Sequence, residues 1–461
     1  MDYMEFLESK RIIHHSAGLD VDRDTLSPSL FPFQKDLTWW SLKKGKSALF
    51  TATGTGKTRM QLAWSEKVQE HTGGNILILA PLAVSMQTVR EAQKMDIVVN
   101  PCRTHDDVKP GINITNYDML HHFETSKFDG VVVDEASCLK AYDGKFRRFA
   151  TDCFQQTPFK LLPTATPAPN DYVELGNQAE FLGIMSRTEM LAMFFVHDGG
   201  ETSKWRLKGH AQKKFWEWLA SWAAVVTMPS DLGYDDGDFI LPPLNIHEEM
   251  VIVDRTEDGL FAVEARTLNE QRAAARHTLQ QRVGRCAEIV NDTKKPFLVW
   301  CNLNSESEAL KKAIPDAIEV KGSDTKEHKE KAMMGFSDGT YRVLVSKASI
   351  CGWGMNWQHC SDMAFVGLNN SFEQYYQAVR RCWRFGQKNP VNVNLITSNL
   401  EGAIKKNLER KEQDADLMIQ EMVKYTRDIT QRNVRQTVRE TTEYKPQVKM
   451  IIPEWLRSEA V

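Results

Sequence analysis

Residues 47–58 read SALFTATGTGKT: an apolar run, a loop holding Gly54 and Gly56, and a helix that opens at Lys57. The run suits a buried strand, and the residues after it decide what the strand end can hold. Glycines let backbone N–H groups approach anionic oxygens, and a helix N-terminus adds partial positive charge at the same place. In such a loop Thr53, Gly54, Thr55 and Gly56 form the cradle, Lys57 reaches the outer phosphates of a nucleotide, and the Thr58 hydroxyl ligates Mg²⁺. The strict GxxxxGK[ST] spacing fails at its first glycine, because position 51 is threonine.

Outward from this loop, short apolar runs alternate with helical segments. NILILA (75–80), INIT (112–115), GVVVDE (130–135) and FKLL (159–162) follow SALF, and each is apolar at nearly every position. Runs of that kind suit parallel strands covered on both faces, and alternation with helices gives an α/β domain over 31–170. Residues 171–244 lose the rhythm; they are aromatic and helical in pattern, ending in DLGYDDGDFILPP, and read as a helical insertion plus linker. The rhythm resumes in PFLVWC (296–301), YRVLVS (341–346), DMAFVGL (362–368) and VNVNLI (391–396), a second α/β domain over 245–400. Residues 1–30 read as an N-terminal helical extension and 401–461 as a charged helix and polar tail.

The bulk numbers agree with two cores. A chain of 461 residues exceeds the size at which one core stops growing. With 58 basic against 61 acidic residues, a basic-tail binder is excluded, so any nucleic-acid contact must come from a local groove. The eight cysteines form no CxxC pair, which argues against a zinc ribbon or a disulfide scaffold. The N-terminal segment has no apolar core of signal-peptide length and no later run approaches membrane-spanning length, so the expectation is a cytoplasmic protein without a membrane partner.

Three further segments carry chemistry. In VVVDEAS, neighbouring side chains at a strand end diverge, so Asp134 can serve Mg²⁺ while Glu135 activates water. LLPTATPAPND (161–171) places two threonines at a strand end, where hydroxyls can sense a terminal phosphate or couple the two domains. In EQYYQAVRRCWRFGQ (373–387), helical spacing puts Gln377, Arg381 and Arg384 on one face, with Arg380 beside it. Planar guanidinium forks suit developing phosphoryl charge, and which of the three arginines meets the γ-phosphate is left open.

TATGTGKT, DEAS, TATP and QAVRRCWRFGQ, in this order, resemble motifs I, II, III and VI of superfamily-two helicases. Q-A-x-x-R-x-x-R-x-G-Q is similar to the Swi/Snf-type branch, whose members usually translocate on duplex DNA. FPFQKDLTWW resembles the adenine-reading glutamine motif and points to Gln34, and SICGWGMNWQ resembles motif V. The flavour is that of a compact bacterial phage or prophage form. DEAS replaces the usual DEAH or DEGH. The resemblance implies two tandem recombinase-like (P-loop NTPase) lobes with ATP and Mg²⁺ between them. Lobe one would supply Gln34, Gly54, Gly56, Lys57, Thr58, Asp134 and Glu135; lobe two would supply Gly354, Gln377, Arg381 and Arg384.

A translocase grips backbone rather than base edges. Candidates are Gln87, Arg90, Thr115 and Asn116, the basic helix around Lys140, Lys145, Arg147 and Arg148, and Lys347 and Asn356. The tryptophans at 205–222 read as core before they read as base-stacking groups. The leading expectation is a monomeric ATP hydrolase that translocates on duplex DNA in phage replication or recombination. The alternatives are a strand-separating DNA or RNA helicase and an ATP-switched recruitment protein. The tail YKPQVKMIIPEWL (444–456) either docks a partner, such as a nuclease or replication protein, or packs back on lobe two.

Overall fold

Nine of the apolar runs form strands because each offers both faces to a core. The structure, a computed structural model, describes residues 17–139, 144–197, 205–252, 268–352, 355–400 and 402–435. The strands are β1 (Lys46–Thr51), β2 (Asn75–Ala80), β3 (Val99–Pro101), β4 (Ile112–Asn116), β5 (Phe128–Val133), β6 (Phe159–Thr164), β7 (Phe195–His197) and β8 (Trp205–Leu207). They continue as β9 (Ala223–Val226), β10 (Leu244–Val251), β11 (Phe297–Cys301), β12 (Ala317–Val320), β13 (Val343–Lys347), β14 (Asp362–Val366) and β15 (Val391–Ser398). Two parallel sheets result, ordered β3-β4-β2-β5-β6-β1-β9 and β10-β15-β14-β11-β13-β12, beside a β7–β8 hairpin.

The period of two is visible in the cores. Leu77, Leu79, Val131 and Val133 face one cluster, while Ile76, Ile78 and Val132 from the same strands face the other. In the second sheet, Leu298 and Trp300 face one side, and Phe297 and Val299 the other. Each fully buried aliphatic side chain stabilises the fold by roughly 1.5–3 kcal/mol.

The stretch read as an insertion is tied into the first lobe. AAVV (223–226) is β9, the edge strand beside β1, paired Ala48 to Ala223 through Thr51 to Val226. The preceding helix, Gln212–Trp222, buries Trp216, Trp218 and Trp222. Their place is the core of the first lobe, not a surface for stacking bases.

The C-terminal helix, Gly402–Arg435, runs from one lobe to the other. Ile404, Leu408 and Ala415 pack into the second core, whereas Met422 joins the first. Lys411 donates to the Asn370 carbonyl at 2.7 Å. Further along, Gln431 donates to the Asp231 carbonyl at 2.9 Å, and Tyr425 stacks on Trp216 at 5.4 Å. No described helix is long and apolar enough to cross a membrane. The tail at 444–456 lies outside the described residues.

Candidate functional site

Ligand sites of open parallel sheets lie at the carboxyl ends of strands. Here the chemistry-bearing residues follow β1, β5 and β6 in the first lobe and lie on or just after the helix Phe372–Val379 in the second. They line one cleft of ≈ 350 Å³, shared by Gln34, Thr53, Gly54, Gly56, Lys57, Thr58, Asp134, Glu135, Gln377, Arg381 and Arg384.

The loop after β1 is shaped by two glycines. Gly56 has φ +90°, and a Cβ there would lie 2.2 Å from Gln34 Nε2. Gly54 has φ +95°, and its Cβ would lie 2.9 Å from the Phe385 nitrogen of the other lobe. Thr51, which stands where the longer pattern has glycine, accepts a bond from Thr55 Oγ1 at 2.9 Å and so staples the loop. Gln34 donates through Nε2 to the Thr55 carbonyl at 2.7 Å and accepts from the Phe31 nitrogen at 3.0 Å. Lys57 folds back, donating to the carbonyls of Thr51 at 2.8 Å and Ala52 at 3.1 Å.

The carboxylates after β5 are held apart. Asp134 accepts from Gln61 Nε2 at 3.2 Å. Tyr117 donates its hydroxyl to the Asp134 carbonyl. Glu135 has φ +61°, a left-handed conformation that costs a non-glycine residue on the order of 1 kcal/mol. That kink sends its side chain to Thr164 Oγ1 at 2.6 Å, with Ser137 Oγ at 3.3 Å. The threonine of TATP and the serine of DEAS therefore both hold Glu135.

On the second lobe the helix stops at Val379, so Arg384 lies beyond it in a turn rather than on one continuous helical face. Trp357 N–H bonds to the Arg381 carbonyl at 2.9 Å there, in place of a further helical turn. Gly386, with φ +89°, ends that turn. Arg381 still uses the four-residue spacing, donating from Nε to the Gln377 carbonyl at 2.8 Å and from Nη2 to Gln377 Oε1 at 2.9 Å. Arg381 and Arg384 both donate to the Met355 carbonyl, at 3.2 and 3.4 Å. Arg380 points away from them. Its guanidinium stacks on Trp383 at 4.2 Å and lines a second cavity, ≈ 360 Å³, on the other side of Thr53 and Gly54.

Burial dominates the electrostatics. It lowers Lys57 to about 8, partly countered by Glu135 and Asp134. Burial also lowers Arg381 to about 10 and Arg384 to about 9, so both stay charged at neutral pH. The carboxyls of Asp134 and Glu135 are raised by the same loss of water. Thr53 Oγ1, Gln87 Oε1, Asn356 Oδ1, Gln358 Oε1 and Gln377 Nε2 are buried on this lining without a hydrogen-bond partner. Dehydrated cations and unpaired polar atoms on one cleft wall are what a polyanionic, hydrogen-bonding ligand would satisfy. Thr58 and Asp134, hard oxygen donors on the same lining, suit Mg²⁺.

The expected nucleic-acid residues divide. Thr115 is 2% exposed on β4, so it does not reach a surface. Asn116 caps the following turn, accepting from Asp118 N–H at 3.1 Å. Arg147 turns inward to Glu180 at 2.6 Å, leaving Lys145 and Arg148 exposed. Asn356 lines the cleft described above. Lys347 is half-buried at the end of β13. Lys140 and Gly354 lie outside the described residues. Gln87 and Arg90 line an interlobe groove of ≈ 280 Å³ together with Lys326 and Lys329, which the sequence reading missed. Arg90 Nη1 reaches Met334 Sδ across that groove at 3.0 Å. Other missed lining residues are Phe31, Gln358, Phe239 and Phe385. Gln358 closes the motif V-like SICGWGMNWQ and was the most findable of them.

Two tandem parallel-sheet lobes, with a glycine-shaped loop in one and paired arginines in the other, are consistent with a tandem recombinase-like fold. Residues 281–386 match the helicase conserved C-terminal domain. Over 428 residues the chain is 22% identical to the mouse (Mus musculus) protein described as DNA annealing helicase and endonuclease ZRANB3, covering 83% of this chain and 40% of that protein. The chain thus spans about two fifths of the length of that relative. An ATP-dependent Type ISP restriction-modification enzyme, LlaBIII, bound to DNA, shares the fold at TM-score 0.51 and 14% identity, over 80% of this chain and 28% of that one. The Sulfolobus solfataricus SWI2/SNF2 ATPase core in complex with dsDNA aligns at TM-score 0.40 and 16% identity, over 90% of this chain and 98% of that one. The domain match covers the second lobe, and the similarity to the mouse relative extends over most of the chain.

Proposed function

We propose that this chain is an ATP-driven motor that moves on duplex DNA, hydrolysing ATP between its lobes. The observation that carries the reading is the single cleft in which Lys57, Asp134 and Glu135 of one lobe face Arg381 and Arg384 of the other. Lys57 leaves its loop carbonyls for the β- and γ-phosphates, with Gly54 and Gly56 N–H groups around them. Thr58 and Asp134 would hold Mg²⁺, which would supply neutralisation of phosphoryl charge. Glu135, oriented by Thr164 and Ser137, takes the proton of the attacking water. Arg381 and Arg384 meet the charge that develops on the transferred group, and Gln377 keeps Arg381 in line.

Arg90 and Lys326, with Lys329 and Gln87 beside them in the interlobe groove, would hold the nucleic-acid backbone. The described activity of the mouse relative directs the choice toward DNA. ATP turnover measured without nucleic acid and with duplex DNA, single-stranded DNA or RNA tests the proposal. Strong stimulation by duplex is expected. Stimulation by RNA alone overturns it, and turnover indifferent to all three favours an ATP-switched recruitment protein instead.

A further inference from the structure

The second cavity, ≈ 360 Å³, lies on the far side of Thr53 and Gly54 from the cleft, outside the proposed reaction. Its walls come from both lobes and from the C-terminal helix, which contributes Asp416, Ile419 and Met422. The lining is largely apolar, and Tyr376 and Trp383 supply ring faces. Arg380 and Asp416 are the charged residues on it. The Arg380 guanidinium is held 4.2 Å from the Trp383 ring and 5.1 Å from the Tyr376 ring. Its Nε is buried without a hydrogen-bond partner, and so is Thr53 Oγ1 on the opposite lobe.

Both of those atoms can donate, and one anionic oxygen group between them would satisfy both. Asp416 opposes an anion there, but it is exposed, so water screens its charge. The rest of the wall favours flat apolar surface, and a cavity of this size at a domain boundary suits a small molecule. We propose that the cavity binds a small aromatic carboxylate, with its anionic group on Arg380 and Thr53 and its ring among Tyr376, Trp383 and Ile419, and that occupancy slows turnover. Thr53 belongs to the loop of the first lobe, and Arg380 directly precedes Arg381 in the second. A ligand bonded to both ties the lobes together, whereas a working cycle needs them to part. The effect on turnover rests on the motor reading given above; the binding site does not.

The test uses indole-3-propionate as the aromatic anion and tryptamine, which carries an ammonium in place of the carboxylate, as its control. Calorimetric titration of the full chain without nucleotide should show one site with a dissociation constant below about 1 mM for the anion, and no saturation by tryptamine. Saturating ADP should not displace the anion. Arg380→Gln should weaken binding about tenfold or more while kcat without the anion stays within about threefold. Ile419→Trp, which fills the cavity, should block binding. At saturating ATP the anion should lower kcat about fivefold, a usual strength of coupling between sites, and more ATP should not restore it. Absence of saturable binding, tighter binding of tryptamine, or full affinity in Arg380→Gln overturns the site. A dissociation constant that rises in proportion to ADP places the compound in the nucleotide cleft and overturns it too. Binding with unchanged kcat overturns the coupling. A protein without ATP turnover removes the motor reading and leaves the titration to decide the site.

Discussion

In the first lobe the groups facing the cleft are tied to one another and to their own loop: Lys57 to Thr51 and Ala52, Asp134 to Gln61, Glu135 to Thr164. In the second lobe Arg381 and Arg384 are fastened to the Met355 carbonyl, and Arg381 also to Gln377, while burial pulls down the affinity of both for their protons. One half is a cradle complete before a ligand arrives. The other holds dehydrated positive charge that an anion between the lobes would offset. On the proposed reading, the first lobe grips the nucleotide and aims the water-activating carboxylate, and the second lobe supplies charge to the transition state, which raises turnover more than affinity.

The largest effect that could break this division is on the cradle. Lys57→Ala is expected to abolish measurable ATP turnover and to weaken nucleotide binding at least tenfold by equilibrium titration, losing about 1.4 kcal/mol or more of charge-assisted bonding. Full affinity in that variant would move binding out of the first lobe. Thr164→Val should lower kcat about tenfold with KM nearly unchanged, since Glu135 keeps its charge but loses its aim. A change in KM alone would make Thr164 a nucleotide contact.

The pH dependence sharpens the cradle side. Burial lowers Lys57 to about 8 in the free protein. A bound polyanion favours the charged amine and raises that value. Affinity is therefore full below pH 8 and falls as pH rises through it, by up to about tenfold per unit. Titrations between pH 7 and 9.5 should show the slope, and Lys57→Arg should flatten it. A flat profile in the unaltered protein contradicts the assignment. The smallest effect belongs to Arg380→Ala, where kcat should stay within about threefold because that guanidinium lines the other cavity. A collapse of kcat there would place the rate-determining charge at the wrong arginine.

Features written in local sequence were legible. The apolar runs announce strands buried on both faces, and Gly54, Gly56 and Lys57 form one local motif and Asp134 and Glu135 another. Features made through space were not. AAVV gives no sign that it pairs with β1, and Phe239 sits in a turn-rich segment with no periodicity to read. Arg147 looks like part of a basic face, yet it lies one helical neighbourhood from Ala150, on the buried side, where Glu180 meets it. Helical spacing grouped Arg384 with Arg381 correctly for an incomplete reason: the helix ends at Val379, and the turn after it brings both guanidiniums to Met355. The same turn separates Arg380 from them, which spacing alone left open.

The division between lobes is tested most directly by Arg384→Ala, with kcat and nucleotide dissociation constant measured separately on duplex DNA. The account predicts a kcat lower on the order of a thousandfold and a dissociation constant within about threefold of the unaltered protein. Unchanged kcat, or a loss carried entirely by affinity, would contradict it.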